Sequence, residues 1–212
     1  MLTRRHFIAT SALALAAAPL AAQTAVTTGA LQLDVLPESL LPGVITLPPI
    51  FDGDFAIPEQ YQARIVPVQA GLQVGSIHIV PQSYSLYYIL PDNQAIKYGV
   101  AVGREGLYWA GSAVIGRKVE WPSWRPTDEM IERNPDAYLK YIDGMPGGPE
   151  NPLGARALYF FQGDTDTTIR VHGTILPESI GSSASNGCFR MYNSHVIDLY
   201  NRVALGAGAY AY

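Results

Sequence analysis

Two strand-like runs meet at a turn between residues 85 and 102, and this commits the chain to β-sheet. SLYYIL, at residues 85–90, is apolar on both faces, as in a buried strand. Pro91-Asp92-Asn93-Gln94 is a turn. Ile96, Tyr98, Val100 and Val102 then alternate strictly, which predicts a return strand and a hairpin. Upstream, Ile77 and Ile79 alternate with Ser76, His78 and Val80. Residues 112–115, 158–161 and 167–172 read as further strands, the last two around the turn Gly163-Asp164-Thr165-Asp166. Twenty glycines and sixteen prolines in 212 residues exceed the usual combined share of about 12%, which favours strands and turns over a helical bundle.

Two helices are expected. Pro126 suits a first turn, and Asp128 and Glu129 complement its dipole. Near the end, Asn193 or Ser194 can cap a helix in which Val196, Ile197, Tyr200 and Val203 recur at helical spacing. Gly206 and Gly208 end it, and residues 209–212 can close the sheet. The expected domain is mainly β with a few short helices.

The chemistry concentrates in residues 170–191, RVHGTILPESIGSSASNGCFRM. This stretch holds the single cysteine, Cys188, with His172 upstream and Arg190 two residues on. Between His172 and Cys188 runs a loop of small residues, Gly181-Ser182-Ser183-Ala184-Ser185-Asn186-Gly187. A thiol supplies a nucleophile and an imidazole can deprotonate it. A Gly/Ser-rich loop leaves backbone N–H groups to face an oxyanion. A guanidinium can hold a substrate carboxylate. A lone cysteine by itself reads equally as an inert buried thiol or an intermolecular disulfide; the residues around it favour catalysis.

The stretch HGTILPESIGSSASNGCFRMYN resembles the signature of the L,D-transpeptidases, the YkuD-type catalytic domain of bacterial cell-wall enzymes. His172-Gly173-Thr174, Pro177, Ile180-Gly181, Ser185, Gly187-Cys188, Arg190 and Met191 fall in register with it. Asn186 departs from the pattern, which usually carries histidine there. Asparagine has no titratable group, so Asn186 can shape the loop or touch substrate but cannot act as a base.

The resemblance implies a β-sandwich-like fold and a cysteine acyltransferase that needs no metal or organic cofactor. Cys188 is the nucleophile, His172 the general base, and the Gly173 carbonyl orients the imidazole. Ser185, Asn186, Gly187 and Arg190 are implied at the oxyanion or substrate, with backbone N–H groups of Asn186, Gly187 and Cys188 holding the oxyanion. Arg190 in a purely structural ion pair is the alternative. The implied partner is a peptidoglycan stem tetrapeptide, which loses its terminal D-alanine and is transferred to an amine on a second stem or an envelope protein. Two other readings stay open. One is hydrolysis of the same thioester by an L,D-carboxypeptidase or endopeptidase. The other is a non-catalytic cell-wall binding module.

Of four histidines, His6 lies in the leader and His78 has no flanking motif. His195 sits at a helix start, where an imidazole is expected to be exposed with a lowered pKa. His172 is inside the motif, and its place at a strand end beside a loop suggests a site outside the core.

The remaining organisation follows from composition. Arg4-Arg5 before the apolar run at residues 9–22 resembles a twin-arginine leader with cleavage after Ala22, so export to the periplasm or cell envelope is expected. An uncleaved anchor is the alternative, although the run is short for a span. Residues 23–60 are punctuated by proline and read as an extended spacer that can lie along the domain. By the resemblance, residues 61–212 are expected to be the catalytic domain. Residues 104–155, with Trp121 and Trp124, also resemble longer members of the family, which implies a lid or wall over the site; an elaborated loop with its own small core is the alternative. A net charge of −4 gives no electrostatic case for nucleic acid.

Overall fold

Asp92 and Asn93 both take positive φ, 60° and 55°. Short polar side chains tolerate this left-handed geometry, which matches the twist of a tight hairpin. The turn joins β3 (Ser85–Leu90) to β4 (Gln94–Gly99) in antiparallel register, Leu86 opposite Tyr98 and Tyr88 opposite Ile96. β3 is buried on both faces as its apolar run requires. Leu86 joins one cluster, Tyr87 and Ile89 another.

The structure is a computed structural model that describes Asp52 and residues 54–212. The arginine pair, the leader and most of the spacer lie outside the described residues. The other strands are β1 (Arg64–Pro67), β2 (Ile77–Val80), β5 (Val102–Gly103), β6 (Gly111–Glu120), β7 (Arg156–Gln162), β8 (Thr165–His172), β9 (Ser183–Ser185), β10 (Phe189–Arg190) and β11 (Gly208–Ala211). Nine of the eleven strands among the described residues make one sheet in the order β1-β4-β3-β2-β11-β6-β7-β8-β10, while β5 and β9 pair separately.

The end of the chain joins the two halves of that sheet. β11 lies parallel to β2 on one side and antiparallel to β6 on the other. One core cluster then draws Ile77, Ile79 and Tyr98 from the first half and Ile115, Phe160, Val171 and Phe189 from the second. A nine-stranded twisted sheet curls readily, and here both halves face a single interior. That is the mainly β domain expected from the alternation, in the sandwich-like arrangement that the resemblance implies.

Three short α-helices complete it: α1 (Asp128–Arg133), α2 (Pro135–Tyr138) and α3 (Asn193–Arg202). Thr127 Oγ1 caps α1 by accepting the Met130 N–H at 3.2 Å, so Pro126 lies just ahead of the helix rather than in its first turn. α3 follows the cysteine as expected and buries Val196 and Leu199 in the core.

Its cap differs from the expectation. Neither Asn193 nor Ser194 caps α3; the Asp52 carboxylate does, accepting the N–H groups of Asn193 at 2.6 Å and Ser194 at 3.0 Å. A carboxylate on the exposed N–H groups of a helix start is favoured by hydrogen bonding and by the dipole. Phe55, Ile57 and Tyr61 pack nearby on Ala101, Ile180 and Tyr192. The packed unit therefore begins at least at Asp52, earlier than the boundary at residue 61. The tail end of the proline-rich spacer is part of it.

Candidate active site

β10 runs parallel to β8, with Phe189 opposite Val171 and Arg190 opposite His172. Phe189 and Val171 both enter the core. Because side chains alternate along a strand, Cys188, Arg190, Arg170 and His172 are turned to the other face. Two short strands thus collect the cysteine, the histidine and two guanidinium groups on one surface.

His172 is 5% exposed, so its strand-end position is buried, contrary to the expectation of a site outside the core. Its Nδ1 lies 2.6 Å from the Gly173 carbonyl oxygen. A carbonyl only accepts, so Nδ1 carries the hydrogen and Nε2 is left as the proton acceptor. Burial pulls the imidazole pKa down to about 4; the Gly173 contact works against this, and the charges of Arg190 and Arg170 add to it. Gly173 has to be glycine, because a Cβ there would lie 2.1 Å from Asn193 Oδ1. Asn193 in turn accepts the Ala155 N–H at 3.0 Å and donates to the Thr174 carbonyl at 2.9 Å, holding the strand end in place.

Cys188 keeps part of its surface open. Its Sγ donates to the Thr168 carbonyl at 3.6 Å. Crowding of the sulfur pushes the thiol pKa up. A hydrogen bond from the Arg170 N–H and the charges of Arg170 and Arg190 oppose that rise, while Asp166 adds to it. Both shifts favour the uncharged forms, a neutral thiol and a neutral imidazole.

Thr168 sits on a bulge that the sequence reading did not find. Opposite β7 the register jumps between Tyr159 and Phe161, and Thr168 takes φ 62°. Local side-chain bonds hold this shape. Asp166 Oδ1 accepts the Thr168 N–H at 2.8 Å, and Thr167 Oγ1 donates to the Phe160 carbonyl at 2.8 Å. Asp166 also pairs with Arg170 at 2.9 Å, and that guanidinium lies 4.4 Å from the Tyr159 ring centroid. The one visible signal was the polar run Thr165-Asp166-Thr167-Thr168 inside a strand, where such side chains compete for backbone bonds.

The loop before the cysteine is shaped by Ser185 and Gly187. Ser185 is 2% exposed. Its Oγ donates to the Cys188 carbonyl and accepts the Gly187 N–H, so it closes a turn rather than facing substrate. Gly187 has φ 127°, which requires glycine. With its N–H engaged by Ser185, the N–H groups of Asn186 and Cys188 are those without a protein acceptor among the described residues.

Asn186 is a junction. Its Oδ1 accepts from Arg104 Nη2 and, at 3.0 Å, from Arg133 Nη2; its Nδ2 donates to Tyr138 Oη at 3.3 Å. Arg133 closes α1 and Tyr138 closes α2, so the block at 104–155 reaches the residue two before Cys188. Trp124 packs against Tyr138 and Tyr141 with centroids 6.4 and 5.6 Å apart. The block thus carries a small aromatic core and bonds to the loop before Cys188 through Arg104, Arg133 and Tyr138.

Arg190 donates to Ser179 Oγ at 3.4 Å and has no carboxylate within 4.0 Å among the described residues, so the ion pair weighed for it is not formed. His195 is 2% exposed, against the expectation of an exposed helix start. The ring lies between Tyr98 and Tyr192 at 5.6 and 5.2 Å, where burial lowers its pKa to about 4. His78 is structural: it bonds Ser76 Oγ at 2.9 Å and Tyr212 Oη at 2.6 Å. Among the described residues no group of three or more His, Cys, Asp or Glu could hold a metal ion.

Comparison with known proteins agrees with this geometry. Residues 75–209 match the L,D-transpeptidase catalytic domain family, YkuD. The YqjB protein of Bacillus subtilis (strain 168), named for an L,D-transpeptidase, is 45% identical over 123 residues, 57% of this chain and 61% of its own length. YbiS of Escherichia coli (strain K12), likewise named, is 30% identical over 171 residues, 78% of this chain and 51% of its own. The chain thus spans about half to three-fifths of these relatives. A solved structure from Brucella melitensis, named as a carnitine operon oxidoreductase, is 50% identical, covers 74% of this chain and 96% of that one, and has a TM-score of 0.51. An L,D-transpeptidase from Mycobacterium smegmatis shares the fold at 12% identity and a TM-score of 0.50, over 70% of this chain and 66% of its own. The match over residues 75–209 takes in His172, Cys188 and Arg190 together, and the chain belongs to the L,D-transpeptidase catalytic domain family.

Proposed function

We propose that this protein is a cysteine-dependent L,D-transpeptidase acting on peptidoglycan stem tetrapeptides. The observation that supports the reading is the β8–β10 register, which pairs Arg190, two residues after Cys188, with His172, an imidazole whose tautomer is fixed by Gly173. Cys188 attacks the carbonyl before the terminal D-alanine as His172 Nε2 takes the thiol proton. The C–N bond then breaks, and His172 returns the proton to the departing amine. The N–H groups of Cys188 and Asn186 are in position to stabilise the oxyanion. Attack by an amine on the thioester completes transfer and regenerates the thiol.

The acyl chain is anionic, which suits the unpaired Arg190 beside the sulfur. The acceptor is an amine on a second stem or on an envelope protein. Arg4-Arg5 and the apolar run after it support export, which puts the enzyme in the periplasm or cell envelope. No helix among the described residues is long and apolar enough to cross a membrane.

The test is product analysis. Purified protein is incubated with a stem tetrapeptide, with and without an amine acceptor, and the products are resolved by mass. The expected result is release of D-alanine and an amide-linked product when the amine is present. D-Alanine release at one rate with no amide product would make the protein a hydrolase of the same bond.

A further inference from the structure

Three arginines at and beside the loop that carries Cys188 lack a carboxylate partner among the described residues. Arg104, Arg133 and Arg190 have no Asp or Glu oxygen within 4.0 Å among the described residues. Arg170, by contrast, is taken up by Asp166 and by the Tyr159 ring. Arg104 follows β5 and Arg133 ends α1, yet the Nη2 atoms of both meet on one acceptor, Asn186 Oδ1. Two like charges brought together repel each other. Asn186 is neutral, so its amide oxygen holds both guanidinium groups without cancelling either charge. Each guanidinium has five donors, and both side chains are exposed, which leaves planar N–H edges facing solvent.

We propose that Arg104 and Arg133 form a carboxylate-binding subsite for the acyl acceptor, on the lid side of Cys188. This rests on the acyl-transfer reading above. Arg190 is half-buried in β10, opposite His172 and bonded to Ser179, and it flanks the sulfur from the C-terminal side. Arg104 and Arg133 meet on Asn186, two residues before Cys188, and are carried by a loop and by the lid. With the acyl chain held beside Arg190, the second substrate enters on the lid side.

In the transfer step the acceptor nitrogen attacks the thioester carbonyl carbon. The C–N bond forms and the C–S bond breaks. His172 removes a proton from nitrogen and passes it to the departing sulfur, leaving an amide and the free thiol. A carboxylate close to that amine, gripped by two guanidinium groups, brings the nitrogen to the carbon.

The experiment uses the acyl-enzyme formed from a stem tetrapeptide, with glycine and glycinamide as alternative acceptors. They differ in the carboxylate, and the readout is the ratio of their transfer rates in each variant. Arg104→Gln and Arg133→Gln should each lower the glycine-to-glycinamide ratio roughly tenfold relative to wild type, the effect of one charge-assisted contact. Asn186→Asp keeps the tie between loop and lid but puts a carboxylate between the two cations, and it should lower the ratio as well. An unchanged ratio in the arginine variants would overturn the subsite. An equal loss for both acceptors would also overturn it, because it would mean that the arginines only hold the lid. If wild type forms no acyl-enzyme before any acceptor is added, the transpeptidase reading fails and the acceptor role falls with it.

Discussion

His172 Nδ1 donates to the Gly173 carbonyl at 2.6 Å, and this contact leaves Nε2 as the ring nitrogen free to accept a proton. In the proposed reaction Nε2 is the base. His172→Gln keeps much of the side-chain volume but cannot take a proton at that position. It should slow acylation by roughly 10²–10⁴-fold. His195→Phe preserves the ring packing against Tyr98 and Tyr192 and should acylate like wild type. His195→Ala should instead lower stability by about 2 kcal/mol or more by opening a cavity. Acylation rates followed by intact mass, with melting temperatures alongside, separate the two histidines.

Three buried histidines make stability depend on pH. Burial lowers His78, His172 and His195 each to about 4 from an ordinary 6.5. Between those values the unfolded chain binds protons that the folded protein refuses, so stability falls as pH drops from 6.5 toward 4. The dependence should approach one proton per histidine. Urea midpoints across this range measure it. Comparing wild type with His78→Gln separates one histidine from carboxylates titrating in the same interval, and the variant's slope should be about one proton smaller. Equal slopes would mean that His78 protonates alike in both states.

Asp52 ties the segment before the domain to the start of α3. Asp52→Ala removes a charged acceptor from two helix N–H groups and should cost about 2 kcal/mol. For a domain of this size that lowers the melting temperature by roughly 4–8 °C. An unchanged melting temperature would show that α3 needs no cap from outside its own sequence.

What the sequence made legible was local. The β3–β4 hairpin announced itself through Asp92, Asn93 and the alternation that follows. The site announced itself because His172, Gly187, Cys188 and Arg190 fall within one short stretch. Contacts between distant segments left no such trace. Nothing near Gly208 says that the last strand inserts between β2 and β6. Nothing near Asp52 points to a helix 141 residues later. His195 looked exposed because a helix start usually is; packing against Tyr98 and Tyr192 buries it. Asn186 looked like a loss, yet the structure makes it the meeting point of Arg104, Arg133 and Tyr138. The bulge at Thr168 was hidden inside a run that alternates well enough to pass as a regular strand.

The central claim is that Cys188 carries the acyl group. The direct measurement is the mass of the protein after mixing with a stem tetrapeptide, followed by digestion to locate the added mass. The account predicts an adduct equal to the stem without its terminal D-alanine, held on the peptide that contains Cys188 and absent from Cys188→Ala. An adduct on a different residue, or continued turnover by Cys188→Ala, would contradict it.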